Sequence, residues 1–193
     1  MPPILSGRGT GIGRAVRRSG VVVVIAFAQL APTPLVRAAN AGPSETARQL
    51  AGLFMQGCRP FAGNPTALRA WAEARKPTPV PEQARVAFLN GAPGVVFDAS
   101  TEAGKFVLVS SDDGLCSSIT DRAMGKDVED ALEATLREAG IAFRMAIDRD
   151  DRMVPALHFR EYLATMKGRL WRILAATIKD RVEGRAMLTA APG

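Results

Sequence analysis

Residues 94–119 read GVVFDASTEAGKFVLVSSDDGLCSSI, and their two-residue rhythm decides the fold class. Val95, Val96 and Phe97 form one apolar run, 100–104 is turn chemistry, and 106–109 is a second run. Asp112-Asp113-Gly114 then makes a tight turn into a third run over 115–119. Short runs separated by turn residues predict a three-stranded antiparallel meander, with Cys116 on its third strand.

Toward the N-terminus the period lengthens. Ser44 can cap a helix that places Leu50, Leu53 and Phe54 on one face, with Met55 beside it, and Gly57 is expected to end it just before Cys58. Asn64-Pro65 is a cap followed by proline at the first helical position, which predicts a second helix through about Arg75 carrying Leu68, Trp71 and Ala72. Prolines 77, 79 and 81 stop it and make 76–81, KPTPVP, an extended connection. A short helix over 82–89 follows, ended by Asn90-Gly91.

Toward the C-terminus, 127–139 is the strongest helix: Val128, Leu132, Thr135 and Leu136 recur at helical spacing, acids crowd the first turns and Gly140 stops it. Its acidic face reads as solvated surface. Ile141, Phe143, Met145 and Ile147 alternate as in a half-buried strand, and Asp148, Asp150 and Asp151 read as the hairpin tip beyond it. Two readings compete over 156–179. Phe159, Leu163, Met166, Leu170, Ile173, Leu174 and Thr177 fit a helix, whereas Lys167-Gly168 is hairpin chemistry. We favour strands over 156–166, 170–179 and 186–190, with a turn at Val182-Glu183-Gly184. The sum is an α+β fold: N-terminal helices packed on antiparallel meanders of about six to seven strands, with one further helix near 127–139. Two meanders about that helix would give the domain a pseudo-symmetry.

Residues 1–41 read as a cleavable export signal. Arg8, Arg14, Arg17 and Arg18 precede the apolar run of 21–30, no acid occurs before Glu45, and Ala39-Asn40-Ala41 has the small-x-small form of a cleavage site, which leaves Gly42 as the new first residue. The run is short of the roughly 20 apolar residues of a spanning helix, so an uncleaved anchor is the lesser alternative. Arg17-Arg18 leaves both the general secretory and the twin-arginine route open. Within the leader, SGRGTGIG at 6–13 has the glycine spacing of the short-chain dehydrogenase phosphate loop, but its context fails. Pro2 and Pro3 occupy the place of the preceding strand, and no acid follows at ribose distance. The only tyrosine, Tyr162, has methionine rather than lysine four residues on. The sequence therefore calls for no cofactor.

Set apart from the leader, residues 42–193 form one expected domain of near-neutral charge, since five of the 25 basic residues fall before Gly42 and 20 remain against 19 acids. That balance gives no general basic field for nucleic acid. In an oxidising compartment Cys58 and Cys116 are expected to pair. Separate buried thiols are the alternative, and a metal site would lack ligands because His158 is the only histidine.

Candidate chemistry is sparse. Ser110, Ser111, Ser117 and Ser118 flank Asp112-Asp113 and His158 is the only imidazole, but no G-x-S-x-G elbow occurs. The weak catalytic candidates are His158, Asp112 and Asp113, with Asp98 and Glu102 able to join the turn acids if neighbouring strands bring them together as a carboxylate pair. Asp148, Asp150 and Asp151 are interleaved with Arg149 and Arg152 and lack the spacing of a calcium loop, so no metal is expected.

A helix closed by Cys58, FLNGAPG at 88–94, DDGLC at 112–116 and AMLTAAP at 186–192 together resemble a family of small exported proteins of proteobacteria. The resemblance covers most of 42–193. It implies a periplasmic or secreted compartment and carries no assigned activity. Three function classes follow. The favoured one is a non-catalytic envelope module that binds a protein or a small ligand through a sheet face or an edge strand, with no membrane span after cleavage. A small hydrolase using His158 or an acid pair is the alternative. A cytosolic nucleotide oxidoreductase survives only through SGRGTGIG.

Overall fold

Local chemistry starts the helices where the spacing places them. In the computed structural model, which describes residues 42–166, 168–179 and 184–193, the Ser44 hydroxyl accepts from the Ala47 N–H at the start of α1 (Glu45–Leu53). The leader with its SGRGTGIG stretch and cleavage site, Lys167 of one expected turn and residues 182–183 of another lie outside the described residues. Gly57 does not end the first helix. The chain widens instead into a π-helical segment (Phe54–Cys58) and runs on through a short α2 (Arg59–Phe61). The glycine serves close approach: a Cβ there would stand 3.2 Å from Leu108 and 3.3 Å from Trp71. Asn64 caps α3 (Pro65–Glu73) by accepting from the Ala67 N–H at 3.1 Å. After α4 (Glu82–Leu89), Asn90 takes the left-handed conformation at φ 49° that stops it.

The strands are β1 (Gly94–Asp98), β2 (Phe106–Ser111), β3 (Cys116–Ala123), β4 (Phe143–Asp150), β5 (Leu157–Met166), β6 (Arg169–Ile178) and β7 (Gly184–Pro192), with α5 (Gly125–Glu138) between β3 and β4. They form one antiparallel sheet in the order β1-β2-β3-β7-β6-β5-β4. One meander has three strands and the other four, and they meet where β3 pairs with β7. The strand reading of 156–179 holds because Gly168, at φ 72°, turns the chain back on itself so that ten residues of β5 pair with ten of β6.

One face of the sheet is the inner face. Phe106, Leu108, Leu188, Ile173 and Tyr162 project from it against Leu50 and Phe54 on the first helix and Val128, Leu132 and Leu136 on α5, all buried. The Cys58–Cys116 disulfide ties the π-helical segment to the start of β3 within this layer. On the outer face a smaller cluster of Val96, Val109 and Ile119 is covered by Val80 and by Phe88 and Leu89 of α4. Among the described residues, no helix is long and apolar enough to cross a membrane.

Three sequence expectations change here. β4 is an exposed edge strand rather than a half-buried one, and a register shift between Met145 and Ile147 breaks its alternation. Met145 is opposite Tyr162 of the inner face, whereas Ile147 is opposite Glu161 of the outer face. The strand also runs on through Asp150, so Asp148 and Asp150 are strand residues and not a hairpin tip. The acids of α5 are not all solvated: Glu129 is buried at 5% exposure and points at the sheet.

Candidate functional site

Two places in the described residues gather chemistry. The first surrounds the lone histidine, where α5 crosses the inner face beside β4, β5 and β6. His158 Nδ1 lies 2.9 Å from Asp150, and Nε2 lies 3.1 Å from Asp148 and 3.7 Å from Glu129. Arg160, two residues along the same face of β5, reaches Glu129 at 3.1 Å and donates to Asp148 at 2.9 Å. Tyr162 continues the row and donates to Glu133 at 3.1 Å. Lys179 holds the far oxygen of Asp150 at 2.8 Å. The period-two spacing of His158, Arg160 and Tyr162 puts all three on one face of β5, opposite Glu129 and Glu133, one turn apart on α5.

The electrostatics are those of an ion-pair network that is buried at Glu129 and opens to solvent at Asp148, Asp150 and Lys179. Burial pushes the Glu129 carboxyl up, while Arg160 and His158 pull it back. Hydrogen bonds from Lys179 and His158 hold Asp150 below the usual carboxylate range. Burial also pushes the Tyr162 phenol up. A histidine acting as general base needs one nitrogen free to face a nucleophile. Both nitrogens of His158 face carboxylates. The hydroxyl across the strand is Thr177, 1% exposed and turned toward Glu129 at 3.5 Å. The arrangement fastens α5 to the β4–β5 hairpin.

The other sequence candidates are not assembled with it. Ser110, Ser117 and Ser118 lie on β2 and β3, with β7 and β6 between β3 and His158 on β5, a separation of at least roughly 14 Å at ordinary strand spacing. Ser110 and Ser118 are fully buried, and the Ser117 hydroxyl shares a 2.8 Å hydrogen bond with Thr189. Asp112 pairs with Arg69 of α3 and so ties the β2–β3 turn to the helix layer, while the Asp113 carboxylate accepts from the Leu115 N–H at 3.1 Å and closes the turn on itself. Asp98 does not converge with them. Gly94 pairs with Ser111 and Asp98 with Val107, which sets the acids at opposite ends of the β1–β2 hairpin, and Asp98 accepts from the Ser100 N–H at 2.9 Å. Asp151 accepts from the Met153 and Val154 N–H groups, each at 2.8 Å. Among the described residues, no group of three His, Cys, Asp or Glu side chains is placed to hold a metal.

The second place is a groove of about 580 Å³ on the outer face. The 79–81 connection and α4 form one wall through Pro79, Val80, Pro81, Ala84 and Phe88, and Val107 and Ile119 form the floor. Its polar groups are mostly committed: Thr120 donates to the Lys105 carbonyl at 2.9 Å and the Ser100 hydroxyl accepts from the Phe106 N–H at 3.2 Å. Four charges line it, two of each sign: Asp98, which accepts from the Ser100 N–H, and Lys105, Asp121 and Arg185. Lys105, Asp121 and Arg185 adjoin Phe106, Thr120 and Ala186, which are paired across β2, β3 and β7 and buried on the inner face. These last three charges therefore stand on the outer face at neighbouring strand ends, where all three are exposed. Sequence reading missed this groove because its wall and floor come from segments about 30 residues apart, and the only signal was the spaced prolines of 76–81. Compared with known proteins, the chain matches no family model and no curated protein.

Proposed function

We propose that this chain is an exported, non-catalytic binding module whose ligand or partner sits in the groove between α4 and the outer face of β2, β3 and β7. The groove carries the reading: it is concave, its exposed surface is largely apolar, and its volume is within the range of small-molecule sites. The histidine cluster supports the same view from the other side, since its charges are spent on one another. Export is supported by the arginine-bearing, acid-free leader with its Ala39-Asn40-Ala41 site and by the Cys58–Cys116 disulfide, a bond that persists in oxidising compartments. The resemblance to small exported proteins of proteobacteria points the same way and supports a periplasmic or secreted module.

The test is site-specific photo-crosslinking in the producing cell. A benzoylphenylalanine at Phe88, in the groove wall, is expected to give an adduct in the envelope fraction, and the same probe at Glu138 on the exposed end of α5 is expected to give none. Equal labelling from both positions, or none from Phe88, defeats the reading. Intact-mass analysis of the exported protein should find Gly42 as its first residue.

A further inference from the structure

We propose that the Cys58–Cys116 bond is made outside the cytosol, by exchange with a protein dithiol–disulfide oxidant, on a chain that has crossed the membrane unfolded by the general secretory route. The proposal rests on the export reading and adds to it the route and the order of events. The two sulfurs are sealed by parts of the chain that lie far apart in sequence. Cys58 is 0% and Cys116 1% exposed. Cys116 is paired with Ser110 of β2 on one side and with Ala190 of β7 on the other, and both neighbours are fully buried. The π-helical segment packs down over the inner face, where a Gly57 Cβ would stand 3.2 Å from Leu108. Beside it Gly63 meets Gly114, its N–H donating to the Gly114 carbonyl at 3.1 Å. Of these covers β7 is the last in the chain, so Cys116 stays open until residues 184–192 have arrived and paired.

Exchange requires sulfur to touch sulfur. One cysteine thiolate attacks the oxidant's disulfide and expels one of its sulfurs, and the other cysteine thiolate then attacks the mixed disulfide and expels the second. Cys58 and Cys116 together lose two protons and two electrons, and the oxidant departs as a dithiol. In the folded domain neither attack has access. A chain folded in the cytosol, as cargo of the twin-arginine route is, carries reduced thiols, and these would leave the cell sealed between β2 and β7 beneath the π-helical segment. A chain that arrives unfolded presents both thiols to the oxidant before the core closes. The disulfide therefore precedes the docking of β7, and of the two routes that Arg17-Arg18 leaves open the general secretory one fits.

The experiment is a pulse-chase of the full precursor in the producing cell, with a polyethylene-glycol maleimide on free thiols to report redox state and protease resistance to report folding. The disulfide is expected only in chains that have lost residues 1–41, and earlier than protease resistance. Arg17→Lys/Arg18→Lys should leave the exported yield within about twofold of wild type. In Cys116→Ser, Cys58 has no second thiol to release the oxidant, so a mixed disulfide that dithiothreitol dissolves is expected. On the purified protein, dithiothreitol should reduce the bond at least about tenfold more slowly in buffer than in denaturing urea, because both sulfurs are buried. Protease-resistant chains that still carry two free thiols, or loss of export in the double-lysine variant, overturn the route. A Cys116→Ser chain with no mixed disulfide overturns the exchange step, and equal reduction rates in buffer and urea overturn the seal on which the order depends. Intact precursor retained in the cytosol defeats the export reading itself, whereas exported protein that folds before it is oxidised sinks this proposal and leaves that reading standing.

Discussion

Glu129 stands where the apolar stripe of α5 would accept another leucine, and its neighbours explain why a carboxylate persists there. Its oxygens meet Arg160 at 3.1 Å and His158 at 3.7 Å, with Thr177 beside them. Removing one partner of a buried pair leaves an uncompensated charge, which costs far more than losing an exposed pair. Arg160→Ala is therefore expected to lower unfolding stability by about 3 kcal/mol. Arg172→Ala, which breaks the Glu161 pair from a side chain 54% exposed and screened by solvent, should cost less. Urea unfolding of the two variants checks the order, and equal losses would refute it. The same carboxylate gives a pH signature. Because burial raises its proton affinity in the folded state, the stability it contributes is present below the ordinary carboxylate range and is lost as pH rises through the shifted value. Glu129→Gln should remove that decline. The wild-type advantage over the variant is thus largest in acid and shrinks as pH rises, and a difference that stays flat or grows contradicts the assignment.

At the scale of the element, the first helix shows how a glycine can be misread. Gly57 looks like a stop from sequence, since glycine often follows a helix end, yet the chain passes through it in a π-helical turn that presses against β2. Gly57→Ala should cost about 1–2 kcal/mol by overpacking Leu108 and Trp71. Gly52→Ala, at a position in α1 where a Cβ meets nothing within 4 Å, should stabilise by about 0.5–1 kcal/mol through helix propensity. Thermal unfolding of the pair checks opposite signs. The disulfide joins the same π-helical turn to β3 across a sequence separation of 58. Loop-closure entropy for that separation predicts a loss of about 4 kcal/mol in Cys58→Ser/Cys116→Ser, measurable as a fall in urea midpoint with the m-value corrected for the freed chain.

For the whole molecule, the open sheet leaves two edges, and β4 is the longer one. Its exposed length carries Arg144, Asp148, Arg149 and Asp150 and is broken by the register shift after Met145, which are the usual means by which a sheet edge avoids pairing with another copy. Arg144 and Arg149 lie opposite Leu163 and Phe159. Replacing both arginines by valine should extend the apolar surface of that edge and promote self-association, detected by light scattering during gel filtration. A variant that stays as dispersed as the wild type would show that the bulge alone protects the edge.

Much of this was legible in the chain. The strands over 94–119, the helix after β3, the Ser44, Asn64 and Asn90 signals and the hairpin at Gly168 are local events, decided by side-chain periodicity and by residues whose backbone preferences act within a few positions. The α+β class and the Cys58–Cys116 pair follow from those preferences together with the number of cysteines. What local chemistry could not decide was where distant segments meet. The junction of β3 with β7, the meeting of Glu129 with Arg160 and His158, the distance between the serines and the histidine, and the groove between α4 and the outer face all depend on strand order and register. Those are set by which apolar faces bury together, a cooperative outcome that belongs to the folded domain and to no single stretch of it.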